Sequence, residues 1–316
     1  MSDSIVITAT ALALAQQDAP GPIGAGPVSG AVSILRLPEE APDRRHTGPS
    51  SRLARLIGQL AADAGLAPGD LAGPATGLVS GSRYGCSLVA DMHRRLRDLG
   101  PRGIDAVGFA QATHNFPVSA CAIDYGIQGP GIALVSSLAA GMEALTCGRD
   151  WLREGRCDRV IVAAFEDLHG PAAAHVELLA APHAPPVHEA MALVLLERGS
   201  LARARGAPVL AELAGLAMVP PQGQPRAVAA RAFGGDPAAP RLLIAEAEAP
   251  VPPLVDCLAV GGLLALIRAL EATAASEQAQ DWLVGALDPR CGGILAGLHC
   301  LPVASFAAPA RQEAMA

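Results

Sequence analysis

Few residues of this sequence have the type and spacing that chemistry needs. Four histidines fall close together, but their spacings match no standard zinc pattern, and they lie in a stretch rich in Pro and Ala (His169, His175, His183 and His188). The seven cysteines are widely spaced and form no C-x-x-C pair, which favours reduced thiols over disulfides or zinc. The glycine-rich segment Gly24–Gly30 lacks a phosphate-loop lysine. The sequence therefore predicts neither a metal nor a cofactor.

Two hydroxyls, those of Ser136 and Ser137, lie where an apolar run passes into a helical pattern. Ser137 could act as a nucleophile only with a base beside it. Serine hydroxyls at strand–helix turns more often bond to the backbone. Cys147 is a second isolated candidate nucleophile.

Composition and charge exclude several classes of protein. Apolar residues make up 51% of the 316 residues and charged residues 17%, which excludes a disordered chain. The net charge of −7, without a Lys/Arg stripe, argues against nucleic-acid binding. The opening MSDSIVIT lacks a basic region and predicts a buried strand, with a signal peptide as the minor alternative. No segment is predicted to be apolar for long enough to span a bilayer, so we expect a soluble, cytoplasmic protein.

Strand-like and helix-like patterns alternate along the chain, which predicts an α/β layered fold. The predicted strands are Ile5–Thr8, Thr76–Gly81, Ile132–Ser136, Arg159–Ala164, Met191–Leu196, Val209–Ala214, Leu242–Ala245, Trp282–Leu287 and Ile294–Leu301. The predicted helices are Ser51–Gly65, Leu88–Leu99, Leu138–Glu154 and Gly261–Thr273. The Pro-rich stretches Ala181–Pro186 and Val219–Pro240 are predicted to be loops. Neither resembles a flexible linker, so we expect one domain over residues 1–316.

Several segments, in order and at matching spacing, resemble motifs of the β-ketoacyl synthase family. They are Ile5–Thr8, the strand and turn GLVSGSRYG, Gly100-Pro101, Asn115, GIQGP, RCDRVIVAAFE, HEAMALVLLERGSLARARG and Leu258–Leu270. The resemblance is strong from about residue 75 to 215 and thin afterwards. It implies a thiolase-like fold of two similar βαβ-type halves, about 1–168 and 187–316, in a layered αβαβα arrangement. It also implies a dimer through the strand near residues 129–137.

The resemblance places Leu138 where the family has its nucleophilic cysteine. A leucine cannot hold an acyl thioester. The two regions that carry catalytic histidines in the family read LLIAEAEAPVPP and DPRCGGILAGLH here, so Cys291-Gly292-Gly293 replaces the Phe-Gly-Gly gate. His299 and Cys300 are expected to be core or edge residues. Glu166 matches a family acidic position and is expected to anchor backbone. Two loop regions, between Glu166 and Glu189 and between Ala217 and Leu242, are short for the family.

The resemblance therefore implies a chain-length-factor-like subunit, not active alone. It would pair with an active β-ketoacyl synthase, share an acyl carrier protein, and help to shape a polyketide, polyene or fatty-acyl tunnel. The expected tunnel residues are Tyr84, Val89, Met92, Ala112, Thr113, Phe116 and Leu138. The expected dimer interface comprises Gly129, Pro130, Ile132, Leu134 and Ser136. Two alternatives stay open: an acyltransferase with a shifted nucleophile (Ser137 or Cys147), and a homodimer that binds an acyl chain or acyl carrier without chemistry.

Overall fold

A computed structural model describes residues 3–15, 34–40, 45–104, 106–180, 184–233, 241–246, 255–276 and 278–302. The strands are β1 (Ile5–Leu14), β2 (Ile34–Leu35), β3 (Thr76–Ser82), β4 (Gly131–Val135), β5 (Arg159–Phe165), β6 (Val187–His188), β7 (Ala190–Arg198), β8 (Ala211–Val219), β9 (Arg241–Glu246), β10 (Gln280–Asp288) and β11 (Gly292–Cys300). The α-helices are α1 (Gly48–Asp63), α2 (Ser87–Leu99), α3 (Ala106–Gln111), α4 (Phe116–Asp124), α5 (Ala140–Arg153), α6 (Gly170–Leu179), α7 (Gly199–Ala204), α8 (Pro225–Phe233) and α9 (Gly261–Ser276).

The large sheet repeats one strand pattern. Its order is β4-β3-β5-β7-β1-β8-β11-β10-β9. In the first half, β5 runs parallel to β3 and antiparallel to β7, which is antiparallel to β1. In the second half, β10 runs parallel to β9 and antiparallel to β11, which is antiparallel to β8. The halves meet at two residue pairs of β1 and β8. The thiolase-like α/β fold with two similar halves is thus confirmed.

Helices cover the sheet on both faces, as strands buried on two sides require. Along β5, Val160, Val162 and Ala164 belong to a core shared with α5 and α9, whereas Ile161 and Ala163 face a second core that contains α1. A third core packs α8 against the other face of the second half. The side-chain period of two in each strand therefore separates the layers, and α5 with α9 forms the middle one.

The middle layer depends on glycines where the two helices approach each other. A Cβ at Gly141 would lie only 2.5 Å from the carbonyl oxygen of Ala259, which precedes α9. A Cβ at Gly262 would lie 2.4 Å from Cγ of Met142. A side chain of any size at these positions would push the helices apart, because protein interiors leave few voids.

Three expectations need correction. The predicted loop Val219–Pro240 contains the helix α8, and the helices α3, α4, α6 and α7 were not predicted. Leu258–Ser276 is long and apolar enough to cross a membrane by length and composition, contrary to the expectation that no segment is. Its apolarity has a simple reason, because 67% of this window is buried and α9 lies in the middle layer of the fold.

Replacing Gly141 by alanine should destabilise the protein, although alanine favours helix more than glycine does. We expect the free energy of unfolding to fall by about 1–3 kcal/mol because the added methyl group meets backbone that cannot move aside. Gly69→Ala is the matched control, since no heavy atom lies within 4 Å of its added Cβ. Equal stability of the two variants in denaturant unfolding would contradict this packing constraint.

Candidate functional site

Three turns from both halves of the sheet meet at the start of α5. They follow β3, β4 and β10, and Leu138 lies between β4 and α5, where it is 6% exposed. Leu138 therefore fills the place expected for a nucleophile with a buried apolar side chain. Leu138 lies just before the N-terminal end of a long helix, where the helix dipole favours a negative charge. Its side chain is not a nucleophile.

The hydroxyls next to Leu138 bond within their own turn. Ser136 Oγ donates to Glu143 Oε2 (2.6 Å) and Ser137 Oγ donates to Glu143 Oε1 (3.3 Å). Ser137 Oγ also accepts from the amide of Ala139 (3.1 Å). The carboxylate could in principle accept a proton, but Ser137 is held as the local cap of the helix start.

A carboxylate from the other half of the fold occupies the same place. Asp288 Oδ1 accepts from the amides of Arg290 (2.8 Å) and Cys291 (3.2 Å), and so closes the β10–β11 turn. Its Oδ2 accepts from the amide of Leu138 (3.4 Å) and lies 3.8 Å from Nη1 of Arg83. Burial disfavours the charged form, but the three amides outweigh it and hold the pKa of Asp288 below its ordinary value.

Glu166, at the end of β5, ties the first half together from the opposite side. It accepts from Ser82 Oγ (3.2 Å) and from the amides of Arg83 (2.7 Å), Tyr84 (3.3 Å) and Ala259 (3.4 Å). Burial raises the pKa of Glu166 to about 7, although each of these donors favours the charged form. Glu166 anchors backbone, as the sequence predicts.

The two carboxylates have corresponding positions in the two halves. Glu166 follows β5 and binds the amide of Ala259, just before α9. Asp288 ends β10 and binds the amide of Leu138, just before α5. Each half therefore supplies a carboxylate to the start of the other half's central helix. Leu258, beside Ala259, has a φ of 52°, which is uncommon for a non-glycine residue.

The expected tunnel residues lie on two segments. Tyr84 packs edge-on against His175, with ring centroids 5.6 Å apart. On α2, Met92 is buried and Val89 is half-buried against the core around α1. Ala112 and Phe116 are half-buried and Thr113 is exposed, between α3 and the start of α4. Leu138 belongs to neither segment. Its amide bonds to Asp288, and Asp288 also pairs with Arg83, the residue before Tyr84.

The expected interface residues surround β4, which lies at the end of the sheet and pairs only with β3 among the described residues. Gly129 and Pro130 are half-buried, and a Cβ at Gly129 would lie 2.2 Å from the carbonyl oxygen of Thr76. Ile132 and Ser136 are exposed, Ile132 by 42%, whereas Leu134 packs against the middle layer. Val135, also 42% exposed, adds a second apolar side chain that we did not predict.

The remaining candidate residues do not assemble into a reactive centre. His299 is exposed and pairs with Asp281 (2.8 Å), while Cys300 is buried. Burial raises the pKa of the Cys147 thiol, which disfavours the thiolate that a nucleophile needs. Most of LLIAEAEAPVPP lies outside the described residues, as do His183 and Gly24–Gly30.

One cluster was missed in the sequence. Asp167, His169 and Glu189 bring ligand atoms within 4.8 Å of one another, a spacing that could suit a metal ion. His169 Nδ1 lies 2.8 Å from Asp167 Oδ1, and this hydrogen bond raises the pKa of His169. The other carboxylate oxygens accept amides of Ser87, Leu37 and Leu168. Three of the four carboxylate oxygens thus bond to backbone, and the cluster joins residues too far apart in the sequence for their spacing to indicate it.

Replacing Glu166 by glutamine should destabilise the protein by about 1–3 kcal/mol, because an amide group then faces backbone donors. The folded pKa of about 7 lies above the ordinary value of 4.5, so this group's contribution to stability falls as pH rises from 4.5 to 7. The deficit of Glu166→Gln relative to the parent protein should thus be larger at pH 5 than at pH 8.

Urea unfolding at both pH values measures this difference. Glu154→Gln is the control, because Glu154 has a side chain 62% exposed. A deficit that stays constant, or that grows with pH, would contradict the raised pKa.

The chain is similar to one known protein family and to several solved structures. Residues 40–181 match the β-ketoacyl synthase N-terminal domain family. No curated protein has a significant sequence match. The ishigamide ketosynthase/chain length factor superposes with a TM-score of 0.73 at 19% identity, covering 94% of this chain and 99% of that one. A type II PKS acyl-carrier protein in complex with its hexaketide-bound ketosynthase superposes with a TM-score of 0.75 at 15% identity. The match covers 95% of this chain and 100% of that one.

A third structure, an oxazolomycin ketosynthase domain from Streptomyces albus JA3453, gives a TM-score of 0.74 at 14% identity and covers 98% of this chain and 77% of that one. Identities this low establish the fold and leave the chemistry open. The predicted resemblance to the β-ketoacyl synthase family is confirmed over residues 40–181, and the ketosynthase/chain length factor structure shares the fold. Residues 40–181 thus match the N-terminal domain of the β-ketoacyl synthase family, and the fold seen in solved ketosynthases extends over nearly the whole chain.

Proposed function

We propose that this chain is a non-catalytic, chain-length-factor-like subunit that pairs with an active β-ketoacyl synthase in the cytoplasm. The pair, in this proposal, binds an acyl carrier protein and holds a growing acyl chain in a shared tunnel. The observation that carries the proposal is the centre at the start of α5. There Leu138, at the position that the resemblance assigns to the nucleophile, is buried, and its amide bonds to Asp288 (3.4 Å).

Acyl transfer at this centre needs an activated nucleophile and donors for the oxyanion. Glu143 is a base beside the Ser137 hydroxyl (3.3 Å), but this hydroxyl lies one residue before Leu138 and also accepts from the Ala139 amide, so it bonds within its own turn. Stabilising the tetrahedral intermediate requires free N–H donors aimed at the oxyanion. The amide of Leu138 instead faces a carboxylate with a lowered pKa. These contacts favour the non-catalytic reading over an acyltransferase that uses Ser137 or Cys147.

The edge of β4 supports pairing with a second subunit. Pro130 accepts from the amide of Leu78, and the amide of Ser136 donates to Ser82. In a parallel ladder the even-numbered residues of this strand therefore bond to β3. The N–H and C=O groups of Gly131, Ala133 and Val135 then face outward, along an edge that carries no proline or charge. Such an edge is a ready template for another strand.

The relatives indicate the kind of partner. One similar structure is a ketosynthase/chain length factor, and another joins a ketosynthase to its acyl-carrier protein. Depth of a shared tunnel is a steric property, because close-packed interiors tolerate little intrusion. Tyr84, Val89, Met92, Ala112, Thr113 and Phe116 are the residues we propose for this chain's part of the wall. Leu138 closes the branch that a synthase leaves open.

Co-expression tests the pairing directly. When it is co-expressed with an active ketosynthase encoded beside it, the chain should co-purify with that ketosynthase at a ratio of one to one. The chain alone should not catalyse condensation between malonyl and acyl groups on carrier proteins. Native mass spectrometry reads the stoichiometry, and a radiolabelled acyl-carrier assay reads condensation. Efficient condensation by the chain alone would overturn the proposal. A stable homodimer that retains an acyl chain and ignores the synthase would favour the binding-protein alternative.

A single substitution on the free edge of β4 tests its geometry. Ala133→Pro removes one outward N–H without removing a bond to β3, and proline is tolerated on edge strands. We expect a folded chain that no longer co-purifies with the synthase. Ala133→Ser keeps the N–H and should pair normally. Pairing that is equal for the two variants would show that the interface lies elsewhere.

A further inference from the structure

We infer that the Asp288 carboxylate is an internal anion that stands in the acyl-oxygen position beside residue 138, so that this centre stays closed to thioesters even when a thiol is placed there. The inference rests on the proposed non-catalytic function and deepens it. The occupant of this centre is a carboxylate of the chain itself, and any acyl chain held by the pair must keep its carbonyl group elsewhere.

The geometry of the donors leads to this inference. Two backbone amides from different halves bind the two oxygens of one carboxylate: the amide of Leu138 donates to Oδ2 of Asp288 (3.4 Å) and that of Cys291 donates to Oδ1 (3.2 Å). Backbone N–H groups that converge from different segments next to a nucleophile position are how proteins stabilise an acyl oxyanion. Here a full negative charge is already present, held by residues 150 positions apart in the sequence.

A thiol at position 138 would therefore meet a negative environment. The carboxylate of Asp288 lies against the backbone of residue 138, and a like charge within about 4–6 Å disfavours a thiolate. Glu143 approaches the same turn through its bonds to Ser136 and Ser137. Arg83 is the cation nearest to this site in the contacts of the described residues, and its Nη1 is 3.8 Å from Asp288. It neutralises part of this charge.

The hairpin role of Asp288 can be separated from its charge. Asparagine at this position keeps a side-chain oxygen for the amides of Arg290 and Cys291, which close the β10–β11 turn. It removes the negative charge that faces Leu138. The Asp288→Asn variant should consequently fold with nearly the parent melting temperature. If Asp288 only closed the hairpin, the substitution would not change the reactivity of a thiol at position 138.

The test compares Leu138→Cys with the double variant Leu138→Cys, Asp288→Asn. Iodoacetamide alkylates the thiolate as iodide leaves, and peptide mass spectrometry measures the rate at residue 138 from pH 6 to 10. We expect the apparent pKa of the new thiol to fall by about 1 or more in the double variant. At pH 7 its rate of alkylation should be roughly tenfold higher than that of the single variant.

A matched control removes an equal charge from the other end of the same helix. Leu138→Cys with Asp150→Asn should react like Leu138→Cys alone, because Asp150 lies in the last turn of α5. If burial slows alkylation, the ionisation of the thiol is measured instead from thiolate absorbance near 240 nm, as a difference from the parent protein. Equal thiol pKa values in the single and double variants would overturn the inference.

Failure here is distinguishable from failure of the proposed function. Unchanged thiol chemistry in a chain that still pairs one to one with a ketosynthase would overturn only the role of Asp288. Condensation by the unmodified chain alone would overturn the proposed function, whatever the thiol measurements show.

Discussion

The close approach of α5 and α9 is the constraint on which the rest of the structure depends. These helices form the layer between the two halves of the sheet, and their contact is set by glycines at Gly141 and Gly262. Because both helices start where the strands end, their separation fixes how near the turns of the two halves come. The carboxylate contacts at the start of each helix exist only because that separation is small.

Glu166 and Asp288 make this contact specific. Apolar packing alone would allow the middle layer to slide, since it has no direction. A buried carboxylate that accepts from amides of the other half fixes the register of the helix ends, at the cost of desolvating a charge. The two halves are thereby linked by polar bonds that an active centre would need to keep free.

Much of the fold could be predicted from the sequence, because strands such as Arg159–Phe165 are continuous apolar runs buried on both faces. Five helices were missed, because α3 and α7 have only six residues each and α4, α6 and α8 have weak apolar periodicity. Prolines in the first turn of α4, α6 and α8 were the usable sign, as proline suits that position. The assignment of Leu138 to the nucleophile position stays a prediction from motif order, whereas the Asp288 contact joins distant residues and required the structure.

The position of α9 in the chain has a consequence for how the protein forms. More than a hundred residues separate α5 from α9, so the ribosome releases α5 long before its packing partner exists. Contacts between distant segments form slowly because loop closure must precede them. Until the last quarter of the chain emerges, the face of α5 that packs against α9, which includes Met142, has no partner. Nascent chains stalled within that interval are therefore the species that chaperones should capture.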